Sequence, residues 1–349
     1  MTTALGRLRV DRRPSALIYS RDTTVGPSSG GCAEILLTDL SSVSVIVPTR
    51  DRPEYLLAAA KSVLAQRLLP AEVLIIDDGS GGGVAEALKL LPRQTRVPIR
   101  RIEGPRRGPS AARNVGLREA AGELVAFLDD DDLWLAQKLE WQVGWLAEGR
   151  KLGLVGTDCV RTREPAGRYP GVKQGPRRVR RVSPGALLRG NRLVMSSVVA
   201  RRECFEECGR FDESLSLAQD WDMWLRIAGR WEVGIVPAPL TIYRMHSEQR
   251  SANQRAMRAW EVEVVGRALK RRDRGGRWPP GGAWRRVARR RLAWAHCRLG
   301  RLLAREGERE EAVQELKRAM RIFPYHPVVW GTLTRFVLAG RAPAGARQG

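Results

Sequence analysis

The sequence predicts an α/β fold: a mostly parallel sheet flanked by helices, with an α-helical extension at the C-terminal end. Three observations carry that prediction. From Val43 onward, short β-branched runs alternate with segments of helical period joined by short links, the pattern of a parallel sheet with helices on both faces. Carboxylates stand at the C-terminal ends of two apolar runs, where open α/β sheets bind ligands. After about Ser251 the texture turns helical, basic and Trp-bearing.

The elements follow in order. Residues 1–40 carry Arg, Ser, Gly and Pro with little periodicity and read as a poorly ordered leader. A domain over 41–250 opens with the strand VSVIVPT, closed by Pro48 and Thr49. A helix over Pro53 to Ala65 places Leu56, Leu57, Ala60, Val63 and Leu64 at helical spacing, with Pro in its first turn. EVLIIDDGS is a second strand, and a glycine turn leads to a helix near Val84 to Leu91. VPIRRIEG is the third strand; a helix over Ser110 to Ala121 then feeds the strand Leu124 to Leu128. LGLVGTD is a further strand, and the Arg-, Pro- and Gly-rich residues 161–182 read as a surface loop. A strand and helix follow in SSVVARRECFEEC, then a helix over Ala218 to Arg230 and a strand pair in VGIVPAPLTIYRMH. The extension, residues 251–349, breaks at GGRWPPGG.

Bulk properties narrow the function classes. The chain has 349 residues, 43% hydrophobic and 28% charged, the balance of a globular protein. No apolar run reaches the roughly 18–20 residues that span a bilayer, and the N-terminus has no continuous apolar stretch of a secretory signal. The five cysteines are scattered without zinc spacing; Cys204 and Cys208 are explained as one face of a helix. These features predict a cytoplasmic protein. The formal net charge is +23, and residues 251–349 hold 23 Lys and Arg against 8 Asp and Glu, a net of +15. Such a charge attracts polyanions, although an Arg-rich composition explains it equally well. Arg285, Arg286, Arg289, Arg290 and Arg291 form a cluster suited to peripheral contact with an anionic membrane at its inner face.

The most informative run is FLDDDDLW, Phe127 to Trp134. Asp129 to Asp132 are four like charges beside a buried strand, and none can be buried unpaired. Mg²⁺ or Mn²⁺ would relieve that repulsion, because hard cations take oxygen ligands and share them with phosphates. The competing explanation is an acidic turn that starts a helix. Asp77-Asp78-Gly79, taken alone, reads as an ordinary turn.

Four motifs in order decide between these readings: VSVIVPTRDRPEYL, EVLIIDDGS, GPSAARNVGLREAAGELVAFLDDDDLW and FDESLSLAQDWDMWLR. Together they resemble the family 2 glycosyltransferases over roughly residues 42–250. The resemblance implies the GT-A fold, a Rossmann-like sheet, and an inverting, metal-dependent transfer from a nucleotide-diphosphate sugar. The acceptor would be a carbohydrate, lipid-linked or protein hydroxyl, in cell-surface polysaccharide or other glycoconjugate synthesis; nucleic acid is not an expected partner. It further implies that Pro48, Thr49 and Asp78 line the nucleoside pocket, with Asp77 as the second choice for the base. Arg113 would meet the diphosphate or the sugar. Asp129 and Asp131 supply the Asp-x-Asp spacing around Asp130, with Asp131 as the direct ligand of Mn²⁺ or Mg²⁺. Asp132 would cap the following helix. Asp220 would be the general base, with Asp222 as fallback, and His246 would contact metal or diphosphate. One departure stands out: Gln219 occupies the position where the family often has Glu. That departure keeps an alternative open, a decayed module binding nucleotide, membrane or polyanion. Nucleotidyl transfer is disfavoured, since no glycine-rich, lysine-bearing loop follows the first strand.

Residues 293–326 resemble a single tetratricopeptide unit, through Leu299-Gly300, Leu303, Ala312, Leu316, Ala319 and Pro324. The physical content is a helical hairpin turning at Gly307, serving either as a structural cap or as a docking element.

Overall fold

The computed structural model describes residues 42–92, 94–163, 178–246, 249, 253–270, 282–325 and 328–332. The leader 1–40, most of the segment 164–182 and nearly all of the GGRWPPGG break lie outside these. The elements are β1 (Val43–Thr49), α1 (Pro53–Leu64), β2 (Glu72–Asp77), α2 (Gly83–Lys89), β3 (Ile99–Glu103), α3 (Pro109–Glu119), β4 (Leu124–Phe127), β5 (Leu133–Trp134) and α4 (Lys138–Glu148). They continue as β6 (Leu152–Thr162), β7 (Arg180–Val182), α5 (Pro184–Arg189), β8 (Val199–Arg201), α6 (Glu203–Cys208), α7 (Gln219–Ala228) and β9 (Glu232–Arg244). Three helices close the described chain: α8 (Gln254–Lys270), α9 (Gly282–Arg305) and α10 (Arg309–Ile322).

All nine strands join one sheet in the order β3-β2-β1-β4-β8-β6-β9-β5, with β7 also paired to β9. The first four strands are parallel, as the strand–helix alternation predicts. β8 runs antiparallel to both β4 and β6, so the far half of the sheet is mixed. Two local expectations change. VGIVPAPLTIYRMH is one long strand rather than a pair. Pro237 and Pro239 lack the amide hydrogens a ladder needs, and register shifts against β6 between Thr157 and Cys159 absorb them. β6 likewise runs on to Thr162, and β7 occupies 180–182, so the predicted surface loop is shorter at both ends.

Period-two alternation explains why β1 is buried throughout. Val43, Val45 and Val47 pack with Leu56, Ala59 and Val63 of α1 on one face. Ile46 packs with Ala112 and Leu117 of α3 on the other. Helices cover both faces, so β1 reads as a continuous apolar run.

The extension shares this core. Val264, Val265 and Ala268 of α8 and Trp284, Ala288 and Leu292 of α9 join Trp221, Trp224, Leu187 and Leu188 in one cluster. Each large apolar side chain buried there contributes roughly 1.5–3 kcal/mol. α9 and α10 form the expected hairpin, turning at Gly307 and ending before Pro324. A Cβ on Gly300 would lie 3.0 Å from the Ala312 carbonyl oxygen, so the helices meet there at backbone distance. The first helix of the extension begins at Gln254, one turn or more before Trp260.

Of the five clustered arginines, Arg285, Arg286, Arg289 and Arg290 are exposed. Arg291 is not part of that surface. It is buried and ion-paired with buried Glu261, donates from Nε to the Arg189 carbonyl at 3.1 Å and lies over the Trp221 ring at 5.6 Å. Burial works to raise the Glu261 pKa, but the charges and hydrogen bonds of Arg291, Arg258 and Arg298 bring it below its ordinary value.

Removing one member of a buried ion pair strands the other. Glu261→Gln should lower unfolding free energy by about 3–5 kcal/mol in urea titration, and adding Arg291→Met should recover much of that loss. Additive losses in the double variant would refute the coupling.

Candidate active site

The C-terminal ends of β1, β2 and β4 open onto one cavity of about 1500 Å³. Its walls include Pro48, Thr49, Asp78, Arg113 and Asp129–Asp131 from the parallel half, and Asn191, Asp220 and His246 from the rest. Most of the residues expected at the site therefore meet, drawn from segments up to about two hundred positions apart. Asp77 and Asp222 are the exceptions.

Asp77 and Asp78 are adjacent in sequence but face differently. Arg101 holds Asp77 Oδ2 from Nη2 at 2.7 Å and from Nε at 3.0 Å, while the Ser80 amide donates to Oδ1 at 2.9 Å. Burial raises the Asp77 pKa; the Ser80 and Arg101 contacts more than offset it, leaving a net lowering. Both Asp77 oxygens are thus committed to the fold. Asp78 Oδ2 accepts from the Gly108 amide at 2.7 Å, and its other oxygen is buried without a hydrogen-bond partner. Gly108 reaches that position with φ +89, a backbone that favours glycine. A buried carboxylate oxygen with a free lone pair, at the wall of a cavity, suits a ring N–H or a hydroxyl of a ligand.

The four consecutive aspartates are parted by partner. Asp129 is ion-paired with Arg113. Asp130 accepts from Thr49 Oγ1 at 2.8 Å and lies 3.7 Å from Arg52; burial, and then the charge of Asp131, push its pKa up to about 6. Asp131 Oδ2 meets Arg52 Nη1 and His246 Nε2, each at 3.0 Å. Asp132 is fully buried, accepting from Ser196 Oγ at 2.6 Å and from the Arg244 amide at 3.1 Å. Burial, reinforced by Asp131 and Asp129, pushes its pKa well up. Asp132 therefore caps no helix: α4 begins only at Lys138, and the side chain turns inward to anchor β9.

One oxygen from each of Asp129, Asp131 and Asp132 lies within 4.8 Å of the others. An all-oxygen set carrying excess negative charge is the donor chemistry of Mg²⁺ or Mn²⁺. The residues present fit such a cation, with His246 beside them. Arg113 is buried, and its Nε and Nη1 have no hydrogen-bond partner, as expected of a guanidinium set to bind an anion.

Asp220 lies in the first turn of α7, after Ala218 in a left-handed conformation (φ 56), a strain of roughly 1–2 kcal/mol for a residue with a Cβ. Its Oδ2 accepts from Asn191 Nδ2 at 2.7 Å and its Oδ1 from the Trp221 amide at 2.7 Å. Desolvation raises its pKa, against the lowering effects of those two donors and of Arg113. Asp222 faces the other way. It is buried against Arg226 Nε at 3.0 Å, and Arg226 donates onward to the carbonyls of Cys208, Gly209 and Arg210. Asp222 therefore holds the turn beneath α7 and does not reach the cavity.

Sequence reasoning did not single out Arg52, Asn191, Ser196 or Arg244. Arg244 lies over the Tyr55 ring at 4.7 Å and donates to the main-chain carbonyls of Asp130 and Asp131. Arg52 had a signal, an arginine directly before the Pro that starts α1. Asn191 and Ser196 had none.

Comparison with known proteins fits this geometry. The family model for glycosyl transferase family 2 matches residues 44–187, which hold Asp78, Arg113 and the four aspartates. Over these residues the chain matches glycosyltransferase family 2. Among sequence relatives, an uncharacterized glycosyltransferase of Rickettsia conorii is 30% identical over 222 residues, 61% of this chain and 34% of the relative. The chain spans about a third of the length of the curated relatives it first matches. Among solved structures, S. aureus TarS in complex with UDP-GlcNAc has a TM-score of 0.61 at 15% identity, over 85% of this chain and 88% of that one. The mannosyltransferase PcManGT from Pyrobaculum calidifontis, in complex with GDP-Man and Mn²⁺, has a TM-score of 0.57 at 22% identity, over 86% and 81%. At these identities the likeness shows the GT-A fold alone.

Ser196 bridges the acidic loop, accepting from the Asp129 amide at 3.0 Å and donating to Asp132. Ser196→Ala leaves both groups short of a partner and should destabilise the glycosyltransferase domain by about 1–3 kcal/mol in chemical denaturation. A change near zero would show that the loop does not depend on this hydroxyl.

Proposed function

We propose that the chain transfers a sugar from a nucleoside-diphosphate donor to a hydroxyl acceptor with inversion, in polysaccharide or other glycoconjugate synthesis. The observation that carries this reading is the shared cavity. Asp78, Arg113, Asp129–Asp131 and Asp220 all line it, and Asp78 and Arg113 each keep buried polar atoms without a hydrogen-bond partner. TarS and PcManGT, solved with UDP-GlcNAc and with GDP-Man and Mn²⁺, support a nucleotide-sugar donor and a divalent cation by analogy of fold.

In this reading Asp78 accepts a hydrogen bond from the nucleoside, and Pro48 and Thr49 wall its pocket. Arg113 swings its bonding capacity from Asp129 toward the diphosphate. Asp131 and Asp129, with His246 and the buried Asp132 behind them, would hold Mn²⁺ or Mg²⁺. When bound, the cation supplies a Lewis acid that offsets charge on the departing diphosphate. Asp220 takes the proton of the acceptor hydroxyl. The hydroxyl oxygen then bonds to the anomeric carbon as the bond to the diphosphate oxygen breaks, and one direct displacement inverts the centre. Gln219 in place of Glu leaves this proton transfer intact, because Asn191 and the Trp221 amide, rather than residue 219, orient Asp220.

A thermal-shift screen with UDP, GDP, CDP and dTDP, each with Mn²⁺ or with EDTA, tests the donor site. One nucleotide should raise Tm in a metal-dependent way, and Asp131→Ala should abolish the rise. Absence of any rise with folded protein overturns the reading in favour of a decayed module.

Asp220→Asn should keep the nucleotide shift yet lower transfer roughly 10²–10⁴-fold, the usual worth of a positioned base. The base acts ionised and its pKa is raised. Transfer should therefore fall as pH drops through that raised value, on an acid limb displaced upward from that of an ordinary aspartate. An acid limb unchanged in Asp220→Asn would assign the base elsewhere.

A further inference from the structure

The donor site accounts for only part of the cavity. At about 1500 Å³ it exceeds the roughly 300–1,000 Å³ of ordinary ligand pockets, so a second substrate has room beside the first. The remaining wall comes from the far halves of β6 and β9 and from the segment that carries Asn191. Three exposed arginines stand on it: Arg161 and Arg163 at the end of β6, and Arg192 directly after Asn191.

None of the three has a carboxylate within ion-pair distance among the described residues. Their neighbours differ. On β7, Arg180 pairs with Asp158 of β6 at 3.0 Å. Asp158, the acid that β6 contributes to this wall, is thus already engaged, and the cavity-facing arginines are left over. Arg161 is not loose. Its guanidinium stacks over the Tyr243 ring at 5.1 Å, opposite which it sits in the β6–β9 register. Stacking fixes the plane of the guanidinium while leaving its edge donors free. Arg192 is placed by its neighbour, since Asn191 is bonded to Asp220 at 2.7 Å. A group held by Arg192 is therefore one residue away from the side chain that orients the base.

The donor's own phosphates do not need these residues. Arg113, buried with two uncommitted nitrogens, lies against the aspartate loop, as does Arg52. Three guanidinium groups without carboxylate partners on one wall leave paired N–H donors available, and a phosphate accepts from such donors with matching geometry.

We propose that Arg161, Arg163 and Arg192 form an acceptor subsite for a phosphate group, so that the acceptor is a phosphorylated glycan or glycoside rather than a neutral sugar. This rests on the glycosyltransferase reading and names its acceptor class. The acceptor hydroxyl lies at Asp220 and its phosphate at the arginine wall.

Calorimetric titration of the full chain, saturated with Mn²⁺ and the nucleoside diphosphate that raises its Tm, tests the subsite. Glucose 1-phosphate should bind about tenfold or more tighter than methyl glucoside, as expected for charge-assisted bonds, with the difference shrinking as salt rises. The Arg161→Gln/Arg192→Gln double variant should lose that preference while keeping its unliganded Tm and its nucleotide shift. Since both residues are exposed, an unchanged Tm separates loss of the subsite from misfolding. Equal binding of the two glycosides, binding of neither at millimolar concentration, or a preference that survives in the variant overturns the proposal. A short-prenyl diphosphate sugar and a phosphodiester-linked oligosaccharide, compared in the same assay, then separate a lipid-linked source of the phosphate from a polymeric one. If no nucleotide shifts Tm, the donor reading fails separately, and the same phosphate comparison on the free chain still decides the subsite.

Discussion

Four adjacent carboxylates at the end of a buried strand cannot share one environment, and much of the domain is arranged around separating them. Asp129 to Asp132 draw their partners from different parts of the chain: Arg113 of α3 for the first, Thr49 of β1 and Arg52 for the second, Arg52 and His246 for the third, and Ser196 with the Arg244 amide for the fourth. The partners come from residues 49 to 246, so the repulsion is resolved only when the sheet is complete. The loop is thereby a tertiary structure rather than a local turn. The resolution is also partial. Asp130 and Asp132 still have raised pKa values, through burial first and the charges of their neighbouring aspartates second.

The same dependence explains the mixed half of the sheet. A purely parallel sheet would end at β4 with its aspartates open to solvent. β8, running antiparallel beside β4, brings the Met195–Ser197 turn against the loop, where Ser196 reaches two aspartates at once. β9 pairs with β5 and delivers Arg244 and His246 to the loop's other side. The helical extension then supports the wall that faces the aspartates. Arg291 grips the end of α5 and the Trp221 ring, next to the hydrogen-bonded Asn191 and Asp220. An extension that looks separable by composition is continuous with the core of the α/β domain by packing.

What is legible in the sequence follows from how local each signal is. Strand and helix boundaries in the first half are readable because each element carries its own periodicity and its own stop, such as Pro48 or Gly108. The acidic run and the Asp77-Asp78 pair are readable because like charges at strand ends demand an explanation. The partition among those charges is not. Asp77 and Asp78 differ by one position in a strand, so period two sends them to opposite sides, yet nothing local says that Arg101 will meet the first. Asp222 reads as a second candidate base because it follows Asp220 by two. On a helix that spacing turns it well away from its neighbour, toward Arg226 one turn on. Asn191 and Ser196 are ordinary polar residues whose importance comes only from what faces them.

Gln219 gains a different meaning from the same kind of context. By sequence, loss of a carboxylate beside the base reads as decay, since the motif is broken at a charged position. In the fold Asp220, the proposed base, takes its orientation from Asn191 and the Trp221 amide, and its electrostatic setting includes Arg113 and Asp129 across the cavity. A neighbouring glutamate would add a like charge, raising further a pKa that desolvation has already raised. Glutamine at 219 spares Asp220 that increment. In a cavity already rich in carboxylates, glutamine at 219 favours the ionised form of Asp220 that the proposed base role requires, which is the opposite of what motif loss alone implies.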